Sequence, residues 1–303
     1  MKETLSQLKS PSYAMCFPFN LDTKNPNNIW MKEMTSDELK INKNKAYRQF
    51  FDLYNFLAGS GCVTLIPNIE GLQDQVYTAN VGCYLPHIKD RNVILLSNFT
   101  SSPRVGEEIP ADLHFKALGY ETFKSPYKWE GEADLKYLKD NIYICGYGQR
   151  TELATHKWMK DNFDMNIISV EMVDEYLYHL DCSIFPLSQN KTMICTELFA
   201  PEELKEIEKY SELVDVDSDA AYSGICNSVR MGNTILCASN INELKAKDEN
   251  YLVEKHKIAT LEHICAKEGM EPILFNLSEY MKSGAMLSCC VMQLNYEENT
   301  PLI

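Results

Sequence analysis

Four stretches of the chain carry polar side chains where an apolar strand or helix would not want them. Tyr178-His179-Leu180-Asp181 sets an imidazole two residues from a carboxylate and runs straight into Ile184-Phe185-Pro186-Leu187. Trp129-Glu130-Gly131-Glu132-Ala133-Asp134 crowds three acids around a glycine. In Leu72-Gln73-Asp74 through Tyr77-Thr78-Ala79-Asn80, Asp74 and Asn80 lie six apart, so an extended strand would put both on one face. Ser283-Gly284-Ala285-Met286-Leu287-Ser288 ends in two adjacent thiols, Cys289 and Cys290. Each stretch alone has an ordinary reading: a hydrogen-bonded couple, a solvated turn, a buried cysteine. The set reads differently. A nucleophilic cysteine needs a proton partner and a means of holding its thiolate. Several carboxylates in one pocket need a cation, and a guanidinium satisfies them.

The elements that must position these groups show a repeat. Short apolar runs begin at Val93, Ile142, Thr192 and Thr234, at intervals of 49, 50 and 42 residues. The first is followed by Ser97-Asn98 and a polar stretch, and the other three by a turn and a helical pattern. Pro201 suits a first helical position, and Asn240 suits the N-cap of a helix carrying Leu244, Leu252 and Val253. A strand-turn-helix unit cannot bury its apolar faces alone, so copies must pack together. Cys289 to Leu294 reads as a last strand closing the set. No Pro/Gly/Ser-rich linker divides the chain, which favours one repeat architecture over residues 1–303 rather than two domains.

Composition narrows the partners. Apolar residues make up 45% and charged residues 24%, which excludes a disordered chain. With 29 basic and 43 acidic residues the net charge is −14, so the surface repels phosphate, and nucleic acid and anionic membranes are poor partners. A small cation is not repelled. No apolar run reaches the length of a membrane span, and the start lacks the apolar segment of a secretory signal. The eleven cysteines have no regular spacing and no CxxC pair, and read as reduced thiols of a cytoplasmic protein. No ligand cluster for zinc is present and no cofactor motif stands out.

The four stretches, in this order and with the thiol near the C-terminus, resemble the guanidine-modifying (amidinotransferase/arginine deiminase/dimethylargininase) superfamily. The resemblance runs from about Tyr13 to Leu294. It implies an α/β fold, a five-bladed propeller of ββαβ pseudo-repeats (the pentein fold), as a single domain. It also implies roles. Cys289, favoured over Cys290 by the Ser-Gly-x-x-x-x-Cys spacing, would attack the guanidinium carbon. His179 would protonate the leaving nitrogen and then activate water. Glu130 and Asp181 would hold guanidinium nitrogens, and Asp74 would hold a polar group of the substrate. The other histidines, His87, His114, His156, His256 and His263, fall outside any motif and read as structural.

Two departures sharpen the expectation. Asn80 stands where the deiminases place an Asp, and Asn25-Pro26-Asn27-Asn28-Ile29-Trp30-Met31 is similar to a stretch of the arginine dihydrolases, with Asn28 at their substrate-binding Asn. An amide both accepts and donates, so Asn80 suits the neutral ureido group left after a first ammonia departs. The second departure is Ser97-Asn98-Phe99, where related enzymes carry an Arg for the substrate carboxylate. Arg104 can replace it if its loop folds back; otherwise it is a surface ion pair. The expected activity is therefore arginine dihydrolase: ornithine, carbon dioxide and ammonia formed through a thiouronium intermediate. Single-step deiminase, dimethylargininase and citrulline hydrolase are the near alternatives. An amidinotransferase or a non-catalytic binding protein of this fold is further away. The partner is a small guanidino compound, and a homo-oligomer is compatible with all of this.

Overall fold

A computed structural model describes residues 3–296. The strands in chain order are β1 (Ser12–Met15), β2 (Cys62–Leu65), β3 (Gly82–Tyr84), β4 (Val93–Leu96), β5 (Glu121–Lys124), β6 (Leu135–Lys139), β7 (Ile142–Tyr147) and β8 (Asn166–Glu171). They continue with β9 (Ile184–Ser188), β10 (Lys191–Ile194), β11 (Glu212–Asp215), β12 (Ser228–Met231), β13 (Thr234–Ala238), β14 (Glu271–Phe275) and β15 (Met292–Gln293). They form five three-stranded sheets, ordered β15-β1-β2, β3-β4-β5, β6-β7-β8, β9-β10-β11 and β12-β13-β14. In each, the first pair is antiparallel and the second parallel. A parallel neighbour requires a crossover, and helices such as Glu108–Ala117 and Leu153–Phe163 supply it. These are the ββαβ blades of a five-bladed α/β propeller.

The runs beginning at Val93, Ile142, Thr192 and Thr234 are the middle strands β4, β7, β10 and β13. Middle strands are covered on both faces, which is why they read as continuous apolar runs: all four residues of β4 are buried. The fifth blade differs from the expected closing strand. Its middle strand is β1, near the N-terminus, and β15 is its inner strand, pairing Tyr13 with Gln293 and Ala14 with Met292. The two ends of the chain thus close the ring. Within Cys289–Leu294 only Met292–Gln293 is strand, because Ser288–Cys290 forms a 3₁₀ turn.

Pro201 does open the helix Pro201–Glu208. Asn240 does not cap the next one. It precedes a 3₁₀ turn, Ile241–Glu243, and the long helix runs Glu249–Glu268 from Asp248.

The inner strands β3, β6, β9, β12 and β15 gather around the axis; β15 packs on β3 and β6 on β9. All five are entered from the same kind of segment, a tight turn just before the strand: Thr78–Val81, Gly131–Ala133, Leu180–Cys182, the segment ending at Asn227, and Ser288–Cys290. Those turns are where the chemistry lies.

Candidate active site

One narrow pocket at the strand-start end of the axis is lined by Asn27, Asn28, Asp74, Tyr77, Asn80, Arg104, Arg150, Tyr178, His179, Ser283, Ala285 and Cys289. Asp74 and Asn80 meet there, though not along an extended strand. Asp74 lies in a turn and Asn80 in the 3₁₀ turn Thr78–Val81, so their convergence comes from turn geometry. His179 and Asp181 likewise flank the start of a 3₁₀ turn rather than share a strand face.

Cys289 is 6% exposed and borders the pocket, whereas Cys290 points away and its Sγ lies 3.5 Å from Met286 O. Burial pushes the Cys289 thiol up to about 12, and Asp181 adds to the rise. Asp181 Oδ2 lies 3.8 Å from Sγ and accepts a 2.6 Å hydrogen bond from Ser288 Oγ. The pocket by itself therefore keeps the thiol neutral. A cation bound beside it favours the thiolate.

His179 Nε2 is 2.8 Å from Glu130 Oε2. Glu130 is fully buried, which opposes ionisation, but the His179 hydrogen bond and the Arg150 charge outweigh burial and hold its carboxyl well below the usual range. An ionised carboxylate can only accept, so Nε2 carries the proton and Nδ1 is the nitrogen left to take another. Glu130 also accepts from the backbone of Thr100 and Ser101 and from Arg150 Nη1. It stands behind His179, off the pocket wall. The glycine after it is required. Gly131 sits at φ +66°, and a Cβ there would lie 2.5 Å from Ala79 O and 2.7 Å from the carbonyl carbon of Asn80. The Glu-Gly step thus lets the Glu130 turn press on the Asn80 turn. Asp134 braces the neighbouring turn, accepting from Leu180 N and Thr151 Oγ1.

Asn80 Nδ2 lies 3.5 Å from His179 Nδ1, the ring nitrogen that can accept from it. Asn28 caps the helix Ile29–Glu33 through Met31 N and donates to Ser283 O at 2.9 Å. Gly284, at φ +73°, is packed so tightly on Asn28 that a Cβ would lie 2.9 Å from its Oδ1. Asn28 therefore ties the first helix to the cysteine loop. Asp74 Oδ2 accepts from Asn27 Nδ2 at 2.7 Å, while its buried Oδ1 has no hydrogen-bond partner among the described residues. Burial raises the Asp74 pKa.

Both possibilities for Arg104 come together in an unexpected way. Its loop folds back, placing it in the pocket wall over the Phe99 ring, and it forms an ion pair with Glu107 at 2.7 Å that is buried rather than on the surface. Burial lifts the Glu107 carboxyl to about 7 even so. Asn98 does not reach the pocket; it bridges to Trp129 and contacts Ser125 O.

Two residues at the site carry no local sequence signal. Arg150, from the turn after β7, lies over the Tyr178 ring and donates to Asn27 O at 2.9 Å. Asn227 directly precedes β12 and places its Nδ2 3.4 Å from Cys289 Sγ. A position just before an inner strand would have flagged Asn227, but β12 itself is hard to recognise in Ser228-Val229-Arg230-Met231. Of the remaining histidines, His87 and His156 are held by Tyr143 and Ser169, and His256 pairs with Asp217. Among the described residues no group of three or more His, Cys, Asp or Glu is arranged to hold a metal ion, and no helix is long and apolar enough to cross a membrane.

A propeller with a thiol, an imidazole-carboxylate pair and an amide converging at one end of its axis is the construction of the guanidine-modifying enzymes. The chain belongs to the family described as N,N dimethylarginine dimethylhydrolase, eukaryotic, which it matches over residues 14–296. It is similar to the bifunctional arginine dihydrolase/ornithine cyclodeaminase ArgZ of Synechocystis sp., 26% identical over 286 residues, which cover 92% of this chain and 37% of that one. It therefore spans little more than a third of that relative. The N(G),N(G)-dimethylarginine dimethylaminohydrolase of Mycobacterium tuberculosis is 25% identical over 291 residues, 93% of this chain and 85% of the relative. The same fold is seen in the N-terminal domain of ArgZ bound to substrate, with TM-score 0.80, 24% identity, and coverage of 94% of this chain and 98% of that one.

Proposed function

We propose that this chain is a cysteine-dependent hydrolase of the guanidino carbon of arginine, and an arginine dihydrolase. The observation that carries the reading is the meeting of Cys289, the His179–Glu130 pair and the amide of Asn80 around one pocket. The guanidinium would enter beside Cys289 and Asp181, where its charge favours the thiolate, and the thiol proton would pass to His179. The thiolate attacks the guanidinium carbon, protonated His179 gives its proton to the departing nitrogen, and ammonia leaves a thiouronium on Cys289. Water, deprotonated by His179, attacks that carbon, and collapse returns the thiolate with a ureido product. Asn80 accepts from the ureido N–H and donates to its oxygen, which retains it for a second attack. That round releases another ammonia, and hydrolysis of the second adduct yields carbon dioxide and ornithine, so arginine consumes two waters overall.

For the substrate's tail, Arg150 and Arg104 supply cations for a carboxylate and the unpartnered Asp74 Oδ1 an acceptor for an ammonium. Asn28 acts through the loop it ties to Ser283. The eleven cysteines are all unpaired, which supports a reduced, cytoplasmic setting. The second reading, single-step release of an amine from a methylated arginine, is favoured by the family description.

A product assay on arginine, citrulline and methylated arginines tests the proposal. Wild-type protein fed arginine should form ornithine with two ammonia per turnover, and Asn80→Asp, which has no donor for a ureido oxygen, should shift the output toward citrulline and one. A wild type that stops at citrulline, or turns over only methylated arginines, rules out the dihydrolase assignment.

A further inference from the structure

Four of the five inner strands begin beside a group already given a part in the reaction: Asn80, Glu130, His179 with Asp181, and Cys289. The fifth, β12, begins at Asn227, which is 2% exposed. Its amide bridges the turn that carries the nucleophile. Asn227 Oδ1 is 2.9 Å from Ser288 N, and Nδ2 is 3.4 Å from Cys289 Sγ. The orientation of the amide is dictated by chemistry. A backbone N–H can only donate, so Ser288 N must meet the oxygen, and the NH₂ group must face the sulfur.

The sulfur has few friends in its ionised form. As a thiol it lies 3.7 Å from Asn227 Oδ1 and 3.8 Å from Asp181 Oδ2, both acceptors. Once ionised it is repelled by Asp181, and among the described residues Asn227 supplies the side-chain donor that it keeps. An N–H held in a buried site and aimed where negative charge develops stabilises that charge without having to reorganise.

We infer that Asn227 is a catalytic residue, whose Nδ2 donates to the Cys289 thiolate while its Oδ1 holds Ser288 N and so fixes the sulfur's position. The inference rests on the reading of Cys289 as the nucleophile. In the reaction the donor acts twice, when the thiolate forms ahead of attack and when it is expelled as each adduct breaks down. An amide with only a scaffolding role would need just its oxygen.

That contrast defines the experiment. Asn227→Asp keeps an acceptor for Ser288 N at nearly the same volume but loses the donor; Asn227→Ala loses both without adding charge. Asn227 also walls off a neighbouring chamber of about 400 Å³ lined by Trp30, Leu244 and Met286, so the two variants are compared with melting temperatures in hand. The readout is the rate at which iodoacetamide alkylates Cys289 at fixed alkaline pH, resolved from the other thiols by peptide mass spectrometry. The rate is expected to fall about tenfold or more in Asn227→Asp and several-fold in Asn227→Ala. In both, kcat should fall by roughly 10²–10³-fold, the range for losing one charge-stabilising donor, with KM little changed. Alkylation of either variant within twofold of wild type overturns the inference. So does an Asn227→Asp protein that does not fold, since that makes Asn227 a residue of the scaffold. Because alkylation reports the sulfur and not arginine turnover, an inactive wild type whose alkylation still depends on Asn227 refutes the proposed function alone.

Discussion

At the end of the propeller axis where the inner strands begin, the buried carboxyl groups of Glu107 and Glu130 pair with Arg104 and Arg150, while Asp74 lines the pocket and Asp181 lies beside the Cys289 thiol. On the other side of the same strands, Tyr137, Arg230 and Gln293, with Gln189 and Asn295 from just beyond β9 and β15, line a second cavity. That second cavity is the roomier, about 80 Å³ against about 20 Å³. Size does not mark the site. The strand-start end has pairs of groups whose environments drive them apart: Glu130 is held ionised by His179 and Arg150 while the Cys289 thiol is pushed up to about 12 by burial and Asp181. The second cavity reaches back to the turn before β6 at one buried acid, Glu132, which burial lifts to about 7, but its lining includes no thiol and no imidazole. The strands are alike. What differs is the turn before each of them, which aims side chains at the axis in a way the pleat of a strand does not.

Substitutions at the two cavities should separate sharply. Cys289→Ser should abolish guanidine turnover, because a serine alkoxide is not accessible near neutral pH as a thiolate is, whereas Gln189→Ala at the second cavity should leave kcat within about twofold of wild type. Cys290→Ser, facing Met286 O, should keep most activity. Steady-state ammonia release reads all three, and activity surviving in Cys289→Ser but lost in Cys290→Ser would move the nucleophile by one residue.

A smaller loss is expected from His179→Ala. It should slow turnover by roughly 10²–10⁴-fold, the range for a general acid-base group, while Cys289 remains open to alkylation. Near-wild-type turnover would reduce the His179–Glu130 pair to a structural couple.

The smallest effect concerns the blades. His156 is buried between Ser169 Oγ and Gly146 O, and burial lowers its pKa from 6.5 to about 4. The fold therefore prefers the neutral ring. Its contribution is complete above the unfolded pKa of 6.5 and is lost as pH falls from there toward 4, on the order of 3 kcal/mol across that window. Wild type should accordingly lose stability to urea relative to His156→Gln between pH 6.5 and 4. Parallel pH dependences in the two proteins would show that the ring is not held neutral.

Much of this was legible in the residues themselves. The middle strands announced themselves because burial on both faces forces continuous apolar runs such as Val93-Ile94-Leu95-Leu96. The motif residues Asp74, Asn80, Glu130, His179, Asp181 and Cys289 do assemble at one end of the axis. The inner strands were harder to read: they are short, β15 spans two residues, and the turns feeding them look like strand extensions, so Asp74 and Asn80 read as one extended face. Arg150 and Asn227 were invisible for a different reason. Each reaches the site from a separate blade, Arg150 by a contact with Asn27 123 residues away and Asn227 by one with Cys289 62 residues away, and no local spacing records such contacts.

The proposed chemistry stands on a covalent bond between Cys289 and the guanidino carbon. Rapid acid quenching of the protein during arginine turnover, followed by peptide mapping on a mass spectrometer, tests it directly. The predicted result is a peptide containing Cys289 that carries the added mass of the alkylthiouronium intermediate, arginine less one ammonia, more abundant in His179→Ala, where hydrolysis of the adduct is slowed more than its formation. Turnover of arginine with no adduct on Cys289 at any quench time in either protein, or an adduct on Cys290 or Cys182 instead, would contradict it.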